Sequence, residues 1–206
     1  MQICQSLIGG KPVKSNLPII EKRYPATGEV IAHIEPASEL KRNEAVAIAS
    51  QAQISWAKTD AFDRAKILHK AANLMREAND ELARLEVRDV GKVFSEAVSG
   101  DVPSGTDAFD YFAACITAQN GDFNKWDKAI GYSVRGPLGV CAGIGAWNYP
   151  LVNCASKSIP SILFGNSMIY KPSEYTPSSA LFMAELYEEA GLPEGLFQVL
   201  LGGGKS

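Results

Sequence analysis

Apolar positions recur along this chain with two periods, a helical one in the first half and a strand-like one in the second. From Ser38 to Lys58, the residues Leu40, Ala45, Ala49, Ala52 and Trp56 fall at helical spacing, and Ser38 is placed to accept from the first free N–H groups. Asp60 and Asp63 give the next helix an acidic start. Its stripe of Phe62, Ala65, Leu68, Ala72 and Met75, ending near Glu77, reads as a core face. Asn79 is expected to cap a third helix that stops at Gly91, and Ser95 to Gln119 contains one more, broken around Pro103 and Gly105. Ahead of the helices, Ser6 to Val13 and Ile19 to Ile34 read as short strands around turns at Gly9-Gly10 and Thr27-Gly28, together an antiparallel flap.

A polar junction from Asn120 to Lys128 separates this half from the next. Tyr132 to Arg135 alternates ahead of Pro137 and suggests a strand projecting from the body. Val140, Ala142 and Ile144 form a short apolar run broken by Gly143 and Gly145, which reads as a buried strand that must then turn tightly. Pro150 suits the first position of a helix that Leu151 to Leu163 continues. Ser167 to Tyr170 gives a second buried strand stopped by Pro172, Pro177 opens a helix through Glu189, and Phe197 to Leu201 gives a third strand. The order β-α-β-α-β with short connections predicts an α/β fold, a parallel sheet half covered by helices.

Composition narrows the class without changing this picture. The 206 residues are 46% hydrophobic and 21% charged, as in a soluble globular protein, and no run reaches the ~20 apolar residues of a membrane span. The first residues, MQICQSLIGGKPV, lack the basic start and apolar segment of a secretory signal, which predicts a cytoplasmic protein. A net charge of −3 without a basic patch argues against nucleic acid or anionic lipid as partners. Cys4, Cys115, Cys141 and Cys154 show no C-x-x-C pairing, and His33 and His69 add no ligand spacing, so neither a disulfide framework nor a metal site is expected.

In a parallel sheet, ligands bind beyond the carboxyl ends of the strands, which directs attention to two connections. GIGAWN, Gly143 to Asn148, begins like the dinucleotide fingerprint G-x-G-x-x-G but has Asn148 in the third glycine position, so the usual pyrophosphate turn is not written here. On spacing alone Asn148 is a turn residue, and Lys171 with Glu174 is an exposed pair after the second strand. GGGKS, Gly202 to Ser206, does not form a P-loop, because Val199 stands where that motif needs glycine.

VCAGIGAWNYP, GNSMIYKPSEYTP and AGLPEGLFQVL, in this order and spacing, closely resemble the aldehyde dehydrogenase superfamily. GAWNYP with KPSE is most similar to its betaine aldehyde and aminoaldehyde branch. Weaker agreement reaches back through EVRDVGK to YPATGEVIA. The resemblance covers the whole chain but only the N-terminal two-fifths or so of a family member. It implies the N-terminal part of that fold: an incomplete Rossmann-like parallel sheet with flanking helices and a projecting β-hairpin. The implied divisions are residues 1–120 as N-terminal strands and helices of the cofactor-binding domain, 121–140 as an oligomerisation arm, and 138–206 as the first half of the nucleotide fold.

The resemblance also assigns roles. Asn148 would donate its amide to the substrate oxygen, Lys171 and Glu174 would hold the adenosine ribose of NAD, and Ile144, Ala146 and Trp147 would lie against the cofactor. Tyr149 would contact the substrate, an aldehyde of betaine aldehyde or aminoaldehyde type. Ser156, however, stands where that branch has a tryptophan, which weakens the case for a trimethylammonium group. The family's nucleophilic cysteine and basic glutamate have no counterpart in these 206 residues. The chain by itself is therefore expected to be inactive, with an unpaired sheet edge, and to form a homo-oligomer or to join a full-length subunit. The alternative expectation is a non-catalytic subunit.

Overall fold

The structure is a computed structural model and describes residues 2–116 and 120–204. The expected helix end at Gln119 and the last two residues of GGGKS lie outside the described residues.

The chain opens with β1 (Gln2–Cys4), β2 (Ser6–Ile8), β3 (Lys11–Val13), β4 (Ile20–Arg23) and β5 (Val30–Ile34). These strands do not form one flap. β2 and β3 make a hairpin, and β2 runs antiparallel to a strand of the main sheet, with Leu7 opposite Val199. β1, β5 and β4 form a separate three-stranded sheet. The local pattern gave the strands but not their partners, because pairing across nearly two hundred residues leaves no trace in a short window.

Helices α1 (Glu39–Trp56), α2 (Ala61–Glu77) and α3 (Asn79–Val90) follow. Ser38 Oγ accepts from Lys41 N and Asp60 Oδ1 accepts from Phe62 N, the capping expected of both residues. Asn79 does not cap. It lies inside α3 and donates instead to Val98 O at 3.2 Å. Gly91 ends α3 with φ 80°, a conformation that costs a side chain strain. Phe62 is largely exposed, so the apolar stripe of α2 narrows to Ala65, Leu68, Ala72 and Met75.

A short α4 (Phe94–Glu96) leads through a π-turn, Ala97–Asp101, into α5 (Val102–Cys115). The irregularity thus precedes Pro103, which sits in the first turn of α5 where its missing N–H costs nothing. β6 (Phe123–Lys125) and β7 (Ile130–Tyr132) form a hairpin. The polar junction therefore supplies one of its strands, and the other ends where the sequence suggested a start.

The remainder is β8 (Val140–Ile144), α6 (Pro150–Leu163), β9 (Ser167–Lys171), α7 (Ser178–Ala190) and β10 (Phe197–Val199). The main sheet has the order β3-β2-β10-β9-β8, with β8, β9 and β10 parallel. Alternation along β9 divides the core. Ile169 faces Ala45 and Ala49 of α1, while Met168 and Tyr170 face the cluster built by α6, α7, α2 and α5. β8 is the sheet's edge, which explains why Ala142 and Ile144 are exposed rather than buried.

α6 is the most enclosed helix. Leu151, Ile159, Ile162 and Leu163 are fully buried, each contributing about 1.5–3 kcal/mol. Such burial carries both helix ends out of water. At the C-terminal end Trp56 Nε1 donates to Ile162 O at 2.8 Å and Arg64 Nε to Leu163 O at 2.8 Å. At the other end, Glu86 of α3 accepts from Leu151 N at 3.1 Å. α7 is treated alike, because Asp89 accepts from Ser178 N and from its hydroxyl, both at 2.8 Å. Lys22 of β4 lies 2.9 Å from Asp89, an ion pair with side chains 2% and 0% exposed.

Two expected outcomes follow from this packing. A Cβ on Gly145 would lie 2.0 Å from the Tyr170 hydroxyl. Gly145→Ala is therefore expected to lower stability to urea by about 1–3 kcal/mol, with partial recovery in the double variant Gly145→Ala/Tyr170→Phe. Lys22→Met leaves Asp89 buried without its cation, a change that costs roughly 3–5 kcal/mol when the carboxylate stays ionised. Burial already pushes the Asp89 carboxyl up against the pull of Lys22, so the variant can take up a proton there. Its deficit in urea melts should be larger at pH 8 than at pH 5, because stability held by a raised carboxyl is lost as pH rises.

Candidate functional site

The site is fixed by register. β8 and β9 run parallel with Ile144 opposite Lys171, and Gly145 N donates to Lys171 O at 2.9 Å, carrying the pairing one residue further. Both strands then release their chains at the same end of the sheet, one into residues 146–149 and the other into residues 172–177. Each connection runs into a helix N-terminus, α6 or α7. Gly145 is required here because the Tyr170 hydroxyl occupies the space a side chain would need.

On the first connection Ile144 is 73% and Trp147 60% exposed, and Ala146, Asn148 and Tyr149 are exposed too. The Asn148 side chain makes no hydrogen bond among the described residues, so its amide is available as a donor. Tyr149 is not free on both faces, because Lys92 Nζ stands 4.1 Å from its ring centroid while also pairing with Asp101.

On the second connection Lys171 and Glu174 are half-buried. Lys171 Nζ donates to Pro172 O at 3.3 Å, and no ion pair joins it to Glu174 among the described residues. Glu174 Oε1 lies 4.0 Å from the position of a Cβ on Gly203, so its carboxylate leans toward the exit of β10.

Trp147 lines a cavity of about 330 Å³ with Tyr175, Thr176, Asp89 and Arg23. A larger one, of about 540 Å³, lies on the far side of α7 between Cys4, Phe182 and Glu185. Neither is lined by Asn148, Lys171 or Glu174. Among the described residues no cluster of His, Cys, Asp and Glu could hold a metal, and no helix is long and apolar enough to cross a membrane. Cys4 and Cys154 are buried, and burial pushes the thiols of both up, away from the reactive thiolate.

Three further residues shape the site, all within the segment EVRDVGK but given no role by it: Glu86, Asp89 and Lys92. Burial pushes the Glu86 carboxyl up to about 7, against hydrogen bonds from Ser179 and Leu151 and the nearby charge of Lys92. A signal was present. Leu82, Glu86 and Asp89 share one face of α3, so two acids occupy positions that the helical period assigns to the core.

Together the two connections present an amide donor, an ammonium and a carboxylate beside exposed apolar surface. That set suits a ligand with hydroxyl groups and a polarised oxygen. The N–H groups of Leu151 and Ser178 are already engaged by carboxylates and are not open to a phosphate.

Comparison with known proteins identifies the family. The pattern described as "Aldehyde dehydrogenase family" matches residues 13–206. A betaine aldehyde dehydrogenase of Vibrio vulnificus is 45% identical over 204 residues, which is 98% of this chain and 42% of the relative. Among solved structures, betaine aldehyde dehydrogenase from Staphylococcus aureus in complex with NAD+ superimposes with a TM-score of 0.92 at 31% identity, covering 98% of this chain and 42% of that one. An E. coli NADP dependent enzyme gives 0.93 at 32% identity, covering 97% and 42%. The chain thus spans about two-fifths of the length of the relatives it matches. With the pattern running from the β3 hairpin strand to the last residue, the chain belongs to the aldehyde dehydrogenase family.

Proposed function

We propose that this chain forms the cofactor-binding part of an NAD-dependent aldehyde dehydrogenase, which oxidises an aldehyde of betaine aldehyde or aminoaldehyde type to a carboxylic acid. The observation that carries this reading is the register of Ile144 with Lys171, which releases the Asn148 and Glu174 connections from one end of the sheet. NAD, when bound, supplies the hydride acceptor. The residues present fit it: Ile144 and Ala146 offer exposed apolar surface, Glu174 carries no cation of its own, and Lys171 adds a donor.

Each side chain then has a task. Glu174 accepts from the ribose hydroxyls, and its charge repels a phosphate at the 2′ position. Lys171 donates to the same sugar. Trp147 closes the apolar side of the cofactor's surface. Asn148 donates its amide to the aldehyde oxygen as negative charge develops there, a contact of roughly 3 kcal/mol when the donor is preorganised. Tyr149 contacts the substrate through the part of its ring that Lys92 leaves open. The solved relatives include both NAD+ and NADP users, so the fold itself admits either, and Glu174 is the residue that decides.

A second role is favoured by the β6–β7 hairpin, which exposes Phe123, Trp126, Ile130 and Tyr132. A solvated hairpin has no use for such a surface. Association of this arm with a second copy, or with a full-length relative, would cover it.

Calorimetric titration of the 206-residue chain should show tighter binding of NAD than of NADP. Glu174→Gln should weaken NAD about tenfold, as expected for a lost charged hydrogen bond, and narrow the difference between the two cofactors. Preference for NADP would overturn the assignment of Glu174. The same material should produce no NADH from an aldehyde, and production that depends on one of its own cysteines would refute the division of labour proposed here. Sedimentation of Ile130→Asp should show a lighter species than the parent chain if the arm is the contact.

A further inference from the structure

We infer that Glu86 is a positioning residue for the Asn148 connection, a buried acid whose charge holds the first turns of α6 and α7 and whose protonation loosens them. The inference rests on the reading of Asn148 as the donor to the substrate oxygen.

The argument begins with an unmet need. Leu151 is the second residue of α6 and stands three residues beyond Asn148. Its N–H belongs to the first turn, which has no partner inside the helix. The residue ahead of the helix ordinarily supplies one, but here that residue is Tyr149 and it makes no side-chain capping bond. Pro177 leaves α7 in the same condition. Glu86, 65 residues earlier than Leu151, answers the need of α6 by accepting from Leu151 N, and through the same oxygen, Oε1, it accepts from the Ser179 hydroxyl of α7, whose first amide, Ser178 N, goes to Asp89. Where the Asn148 connection sits is therefore decided by α3.

The other oxygen is the second observation. Glu86 is fully buried and its Oε2 has no hydrogen-bond partner among the described residues. An ionised carboxylate with an unsatisfied acceptor in a dry site is costly, and taking a proton relieves that cost. The groups facing it divide by sign. Lys92 favours the charged form, while Asp101, itself paired with Lys92, opposes it. Cys154 of α6 and Tyr170 of β9 also face it, and both are held neutral by burial. Ser179 of α7 is neutral. The balance puts the midpoint at about 7, so both states are populated near neutral pH.

The direction of the effect follows. An anion at a helix N-terminus is attracted to the free N–H groups, and a neutral acid is attracted far less. As pH rises through 7, Glu86 gains its charge, tightens on Leu151 N and Ser179, and fixes the connection carrying Asn148. As pH falls, the grip weakens.

The test uses the 206-residue chain without cofactor, labelled for NMR. Between pH 5.5 and 8.5, the Glu86 carboxyl carbon, the Leu151 amide and the Asn148 side-chain amide should shift with one common midpoint near 7. Hydrogen-exchange protection of Leu151, corrected for intrinsic rate, should rise about tenfold from pH 6 to pH 8, the factor available to charge at a partly buried helix end. In Glu86→Gln, which keeps the shape and loses the charge, the amide shifts and the rise in protection should vanish.

A Glu86 carboxyl that does not titrate in the parent chain overturns the inference, and this measurement needs no variant to fold. Amide shifts that persist in Glu86→Gln overturn it as well. Because no readout involves cofactor, loss of NAD binding would count against the proposed function alone, and a silent Glu86 against the clamp alone.

Discussion

A helix buried along its length takes its unpaired terminal N–H and C=O groups out of water, and the structure around α6 is organised by the need to satisfy them. Arg64 and Trp56 serve the carbonyls at its C-terminal end, and Glu86 serves an amide at its N-terminal end. The signs match the helix dipole at both ends, cation at the C-terminus and anion at the N-terminus. α2 and α3 supply Arg64 and Glu86, so the helices of the first half are bound to the sheet of the second by polar contacts as well as by the shared core.

α3 has the larger share of this work. Glu86 and Asp89 lie three residues apart on one face, and each meets the start of a different helix. α6 and α7 are thereby fixed with their N-termini side by side at the end of the sheet where β8 and β9 release their chains. The arrangement has a chemical consequence. In many nucleotide folds those N-termini receive a phosphate, but here one amide of each, Leu151 N and Ser178 N, is taken by the protein's own carboxylates, and Asn148 stands in the third glycine position of GIGAWN. The ends of β8 and β9 are left to present side chains, an amide from one connection and a carboxylate with an ammonium from the other.

The helices and the parallel core strands were legible because each rests on local signals. Ser38 and Asp60 cap where their sequence positions indicate, and Pro150 opens α6. The misreadings share a cause in long-range pairing. The β2–β3 hairpin joins the main sheet through Val199, and β8 is exposed along one side because it lies at the edge. Ile144 looks like a core residue by composition and is 73% exposed. Asn79 looks like a cap but donates to Val98 O, since the chain bends tightly from α2 into α3 and leaves no room for a separate cap residue.

The sequence by itself determined the class of fold and the order of its helices and parallel strands, because period, capping and proline placement act within a few residues. The motifs GAWNYP and KPSE likewise marked Asn148, Lys171 and Glu174. Only the tertiary structure decided which strand lies at the edge, that Lys92 covers a face of Tyr149, and that Glu86 and Asp89 hold the two helix starts. The side-chain contacts among them join groups from 57 to 93 positions apart. A charged residue on a helix reads as solvated until the fold shows which buried amide it was needed to meet.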